Sequence, residues 1–489
     1  MGMLLLAAAT AAHAATDDGA AQAAAAERGR RIYVEGLLHD GTSLTARTEQ
    51  GTALSGGAAA CIQCHRASGM GSVEGNVRIQ PITGRYLFPE TGDLTMANMD
   101  GIRGKTLNRS HAPYDDALLE RTLSKGIDAS GRGLNALMPR YALSTRDIAD
   151  LRAYLAGLST AYSPGASKDT IRFAVVVTPD VAPARRQVFL DMLQAAVVTK
   201  NSSTLPRKRY MTMAANFVTQ TERRWDVAVW SLEGPPSSWA AQLEARHRAA
   251  PVFALLSGLA EGTWEPVQDF AAKEHLPIWF PSLAAPPKVP ANGALYFSRG
   301  VMLEADVLAS HLSQGSQATE RAVVQIYAND TPGAQAAERL KQSWRGAPGR
   351  LQDIVVNAGD EQALRAAVGK APTDADLVLW LGGPALKALD GLQPSPRPER
   401  RVYLSRSLNP TTEPLFEPLL PSVRWVYPYE LPRLRQANLA YLHSWLKLKN
   451  IPLVDEEMQS ELFLSLNLMT DTLQDLIDNL YRDYLGKTK

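Results

Sequence analysis

The chain has 489 residues, more than one ordinary hydrophobic core organises, so two or three domains are expected. Its 51 Lys+Arg and 50 Asp+Glu nearly cancel to a formal charge of +1, without the basic excess expected of a nucleic-acid binder. Beyond the first residues no apolar run is long enough to span a bilayer, and two cysteines three positions apart rule out a disulfide framework.

Residues 1–14 combine a short apolar core with the small-x-small sequence Ala12-His13-Ala14, the pattern of a cleaved secretory signal, although no basic residue precedes the core. An exported, periplasmic protein is the expectation. An Ala-rich helix follows over 20–36, then a Gly-rich irregular stretch that holds both cysteines and runs to about Gly104. Residues 113–126 read as a helix, with Asp115 and Asp116 near its start and Lys125 near its end. A loop with Gly126, Gly131 and Gly133 leads to Met138-Pro139. In the helix that follows, over 144–157, Ser144 is the expected N-cap, and Ile148, Leu151, Leu155 and Leu158 form one apolar face. Residues 20–162 therefore form a small helical domain.

Residues 163–170 are a short linker. Beyond it, runs of strand length (171–177, 226–230, 252–256, 277–280, 321–327, 354–356 and 376–381) alternate with helix-like segments (182–200, 239–247, 265–275, 302–312, 333–344 and 360–368). Continuous apolar strands alternating with helices predict parallel sheets covered on both faces. Their number predicts two α/β lobes, with the chain crossing near Arg299–Met302. Helical segments at 433–449 and 456–485 close a second domain of residues 171–485.

The sharpest motif is Cys61-Ile-Gln-Cys64-His65, the attachment sequence of a c-type haem. Two thiols at this spacing form thioethers to the two vinyl groups of one haem, and the adjacent imidazole meets the iron. A thioredoxin-like redox pair would need a strand before the motif, where a Gly-rich loop stands, and a zinc site would need a third cysteine or a second ligand pair. Met138, held by Pro139 between the Gly-containing loop and the amphipathic helix, is the expected second axial ligand. A thioether opposite His closes the iron and raises its potential. Met70, Met96, Met99 and His111 are the competing candidates.

On these residues the stretch from about Ala25 to Leu158 resembles the class I cytochrome c domain, with a longer segment before Cys61 than many relatives have. The resemblance implies a single covalent haem c, one-electron transfer, and a proline carbonyl shortly after the motif that accepts the proximal imidazole N–H. Pro81 is the matching position. From about Ile171 to Val426 the alternating pattern resembles the type I periplasmic binding protein fold of ABC-transporter substrate-binding proteins. That likeness is one of architecture, and it implies a small-molecule ligand in a cleft at the carboxyl ends of strands. Ser257, Ser282 and Tyr327 are the candidate ligand contacts, and plain turn residues after buried strands are the other reading of them.

No Gly-x-Ser-x-Gly, phosphate-binding Gly-x-x-x-x-Gly-Lys or His-Glu-x-x-His sequence occurs, and His247, His275, His311 and His443 stand isolated. No enzyme activity is expected. The expected function is a periplasmic c-type haem electron carrier that serves a dehydrogenase or other redox partner, with a fused solute-binding-like domain that docks or senses. The alternative is a small-solute receptor in which the haem domain is accessory.

Overall fold

The structure is a computed structural model. It describes residues 4–74, 77–89, 111–211, 223–313, 322–329, 331–345, 350–357, 360–372, 374–382, 386, 400–410, 422–430, 432–476 and 479–485. The chain forms two compact units. The first takes residues 1–163 together with the end of the chain from Leu476, and the second takes most of the rest.

In the first unit, helix α1 (Leu4–Glu35) lies across α2 (Thr145–Gly157). The crossing is close at Gly29, where a Cβ would stand 2.0 Å from the Asp150 carbonyl oxygen. Arg28 fixes the crossing with two hydrogen bonds of 2.7 Å to the Asp150 carboxylate. Ser144 caps α2 as expected and forms a capping box with Asp147. The helix Asp116–Lys125 is capped by Asp115 and ends at Gly126, whose φ of 68° is the left-handed C-cap conformation. Ile32, Tyr33, Leu119, Leu123, Ile148, Leu151 and Leu155 form the shared core.

This unit is not all helical, which corrects the sequence expectation. The segment before Cys61 contributes strands β1 (Thr45–Arg47) and β2 (Ala53–Ser55), and β1 also pairs with β3 (Arg140–Tyr141), directly after Met138-Pro139. Such strands of two or three residues are too short to leave a period-two pattern. The end of the chain is a second correction. The sequence placed everything to residue 485 in the α/β domain, whereas the segment from Leu476 packs in the first unit.

The second unit holds two all-parallel sheets. The first sheet runs from Thr170–Val177, Arg224–Ser231 and Ala254–Ala260 to short strands at Ile278–Trp279, Ser282–Leu283 and Ala294–Leu295. The second runs through Val323–Ala328, Leu351–Val356, Asp376–Trp380, Val402–Ser405 and Val423–Val426. Parallel neighbours need crossover connections, which is why helices separate most of these strands. Interior strands such as Ala254–Ala260 and Asp376–Trp380 are buried at every residue, whereas the edge strands Arg224–Ser231 and Leu351–Val356 mix buried and exposed positions. Gln325, buried in the second sheet, is satisfied by the Ala337 carbonyl, Asp353 and the Trp380 indole N–H. Among the described residues no helix is long and apolar enough to cross a membrane.

Candidate haem-attachment site

Cys61 stands at the N-cap of a single helical turn, Ile62–His65, which carries Cys64 on the same turn. Neither cysteine is in a disulfide, and both are half-buried. Burial pushes the Cys61 thiol up to about 12, so it is held as the neutral thiol. A buried neutral thiol exchanges disulfides slowly, unlike the low-pKa cysteines of redox motifs.

His65 is buried, and its Nδ1 lies 3.0 Å from the Gln80 carbonyl oxygen. A carbonyl oxygen only accepts, so Nδ1 carries the proton and Nε2 keeps the lone pair. Burial lowers the imidazole to about 4, which leaves the ring neutral near pH 7. A neutral ring with its far nitrogen bonded to a carbonyl is the arrangement of a metal-ligating histidine. The accepting carbonyl belongs to Gln80, which corrects the assignment to Pro81. Pro81 supplies only the nitrogen of that peptide bond, so Gln80 is fixed as a tertiary amide with no N–H to compete.

Met138 is half-buried and, with Cys61 and Ile62, packs against the core cluster that includes Tyr33, Leu44 and Tyr141. Two contacts hold its loop. Arg140 lies over Gly126, where a Cβ would meet the guanidinium at 2.1 Å, and donates to the Met138 carbonyl. Tyr141, buried on β3, donates its hydroxyl to the Ala59 carbonyl at 3.0 Å. Burial, with the Cys61 and Cys64 thiols beside it, holds the Tyr141 phenol protonated. One residue thus ties the Met138 loop to the backbone that leads into Cys61, and the long segment before the motif supplies β1, the strand with which it pairs.

Among the competitors, His111 has Nδ1 2.8 Å from the Ala112 carbonyl and Nε2 3.1 Å from the Tyr86 carbonyl, so both ring nitrogens are engaged. Met70 is buried five residues past His65. Met96 and Met99 lie outside the described residues. Gln80, Arg140 and Tyr141 were not singled out from the sequence. Their roles depend on backbone carbonyls brought close by the fold, for which the sequence carries no signal.

Residues 49–159 match the cytochrome c family. The expected resemblance of this region is therefore met, although the match begins past the first helix. No curated protein matches the chain. Solved structures resembling it are ABC-transporter substrate-binding proteins. A fatty acid ABC transporter substrate-binding protein from Thermomonospora curvata shares 13% identity, over 67% of this chain and 82% of its own, with a TM-score of 0.48. A leucine-binding protein from Thermotoga maritima shares 8% identity, over 65% and 86% respectively, with a TM-score of 0.44. A solute-binding protein from R. palustris in complex with benzoate shares 11%, over 65% and 85%, at 0.45.

The three candidate ligand residues of the second unit are divided between its two sheets. Ser257 and Ser282 lie on neighbouring strands of the first sheet. Ser257 is buried with a φ of 63°, and its hydroxyl has no hydrogen-bond partner among the described residues. Ser282 is bonded to the Glu461 carboxyl group. Tyr327 belongs to the second sheet. Its ring packs in the cluster with Ala336, Ala337 and Leu340 of the covering helix, and its hydroxyl reaches Asp353 at 3.2 Å. Tyr327 lies inside the strand, and strand parity turns its ring toward the helix layer.

Proposed function

We propose that this chain is an exported, periplasmic one-electron carrier. Cys61 and Cys64 would hold one haem c through thioethers, His65 and Met138 would ligate its iron, and the chain carries a fused α/β domain of the solute-binding type. The observation that carries this reading is the His65 imidazole. It is buried, neutral and bonded through Nδ1 to the Gln80 carbonyl, on the same turn as both cysteines. When bound, the haem supplies a reversible one-electron couple. The chain's own residues orient Nε2, surround the site with the core of Tyr33, Leu44 and Tyr141, and present a soft thioether from a tethered loop.

An imidazole and a thioether from the protein would both be available to the iron, which would favour transfer of electrons over oxygen or peroxide chemistry. The redox partner is a periplasmic dehydrogenase or a similar donor. The test is the Met138→Ala variant. It loses the thioether-to-iron absorption and falls in potential; an unchanged spectrum and potential would reject Met138. Ser257, with its unpartnered hydroxyl on an interior strand, supports solute binding by the second unit. A thermal shift with small alcohols, aldehydes or amino acids that disappears in Ser257→Ala tests that part, and an identical shift in the variant would rule Ser257 out.

A further inference from the structure

The end of the chain is built into the first unit. The Ser163 N–H donates to the Leu480 carbonyl at 3.1 Å, the Arg482 N–H to Ser163 Oγ at 3.2 Å, and the Tyr481 hydroxyl to the Ser159 carbonyl at 2.6 Å. Leu480, Tyr481 and Leu485 are buried. The next residues reach the backbone that leaves the haem motif. Asp483 Oδ2 accepts the Ser68 N–H at 2.8 Å, and the Asp483 carbonyl accepts from Arg66 Nη1 at 3.1 Å. The Arg66 guanidinium also lies 5.9 Å from the centre of the Tyr484 ring.

Arg66 directly follows His65 and has a φ of 64°, and Ser159 has a φ of 57°. Non-glycine residues in such conformations are strained and persist only where the surroundings hold them. Here the Tyr33 hydroxyl takes the Arg66 carbonyl at 2.6 Å, and Ser159 Oγ takes the Ser68 carbonyl at 2.6 Å. The path onward to the histidine is short. The Gly69 carbonyl accepts the Ile82 N–H at 2.8 Å, and the His65 carbonyl accepts the Gly71 N–H at 3.2 Å. The first of these bonds brackets the Gln80–Pro81 peptide, whose carbonyl orients the imidazole.

We infer that Asp483, supported by Tyr481 and Tyr484, is a positioning residue for the proximal side of the haem. It fixes residues 66–69 and, through them, the Gln80 carbonyl that holds His65. The inference rests on the haem reading of Cys61 to His65 and adds that a segment more than 400 residues downstream completes that site. The Nδ1–H bond strengthens the imidazole as a donor and so favours ferric iron. Loosening the acceptor therefore raises the reduction potential.

The experiment uses the full chain matured with haem and compares wild type, Asp483→Ala, Asp483→Asn and a chain ending at residue 478. It reads the reduction potential and, separately, hydrogen exchange at the Ser68 amide. The loss of one hydrogen bond is worth a factor of about five. Asp483→Ala should therefore speed Ser68 exchange and move the reduction equilibrium about fivefold toward ferrous iron, about 40 mV at 59 mV per decade. The truncated chain should move it further. Asp483→Asn, which keeps an accepting oxygen, should restore both readouts toward wild type. A Ser68 amide that exchanges faster in Asp483→Ala at an unchanged potential would overturn the positioning role and leave the tail as a surface brace. An unchanged exchange rate would overturn the contact itself. Wild-type protein without covalent haem would instead reject the functional reading, while the Ser68 exchange would still report the contact.

Discussion

Replacing Tyr141 by phenylalanine removes one oxygen and leaves the ring in the core. That oxygen is the bond between the Met138 loop and the Ala59 carbonyl, which is 1% exposed as a residue and would be left without its donor. A neutral hydrogen bond contributes about 1 kcal/mol net, and an orphaned buried carbonyl costs about 1–3 kcal/mol. Taking about 2 kcal/mol, the population with the Met138 loop detached should rise roughly 30-fold if the bond is intact only in the closed loop. The assay is the rate of carbon monoxide binding to the reduced haem, which requires a vacated sixth position, with urea unfolding run beside it. Tyr141→Phe should bind carbon monoxide more than tenfold faster and unfold at lower urea. Tyr141→Ala should add the cost of a lost buried ring, about 3–5 kcal/mol. Wild-type carbon monoxide kinetics in a Tyr141→Phe protein of lowered stability would refute the coupling between this bond and the ligand loop.

Other predictions address the two units separately. Gly29→Ala drives a methyl group into the Asp150 carbonyl, and backbone cannot yield as a flexible side chain does, so the first unit should lose about 1–3 kcal/mol in thermal unfolding. Arg185 donates to Asp455 at 2.8 Å and Glu261 at 2.7 Å, and the Asp455 side chain is fully buried. Arg185→Met strands that carboxylate and should cost the second unit about 3–5 kcal/mol, read by denaturant titration. Burial raises the Glu304 carboxyl to about 7 despite hydrogen bonds from Ser405 and Ser407. Between pH 4.5 and 7 the folded state therefore holds more protons than the unfolded one, so this contribution is complete below 4.5 and lost as pH rises to 7. Its span is about 3 kcal/mol, and Glu304→Gln should flatten the stability profile in that window. A variant slope equal to that of wild type would show that Glu304 does not titrate there.

The sequence carried the parts of this architecture that are local or periodic. The Cys61–His65 motif, the Ser144 cap and the apolar face of α2 were legible because each is set by residues within one short segment. The two parallel sheets were legible from interior strands such as Ala254–Ala260, buried at every position and therefore continuously apolar. Val402–Ser405 and Val423–Val426 were missed because four residues between loops carry too little pattern to separate strand from turn. The partner of His65 was placed one residue late, because a proline marks the turn while the carbonyl that matters belongs to the residue before it. Contacts made through backbone oxygens at long separation, such as Tyr141 to Ala59 and Ser68 to Asp483, leave no trace in side-chain pattern. They were found only in the fold.

The central claim is a single haem held covalently by Cys61 and Cys64, and peptide mass spectrometry of the full-length protein matured with haem tests it most directly. The account predicts one haem per chain, resistant to acid–organic extraction and carried on the peptide that contains Cys61, Cys64 and His65. Extractable haem, or a peptide on which both cysteines are free or joined to each other, would contradict it.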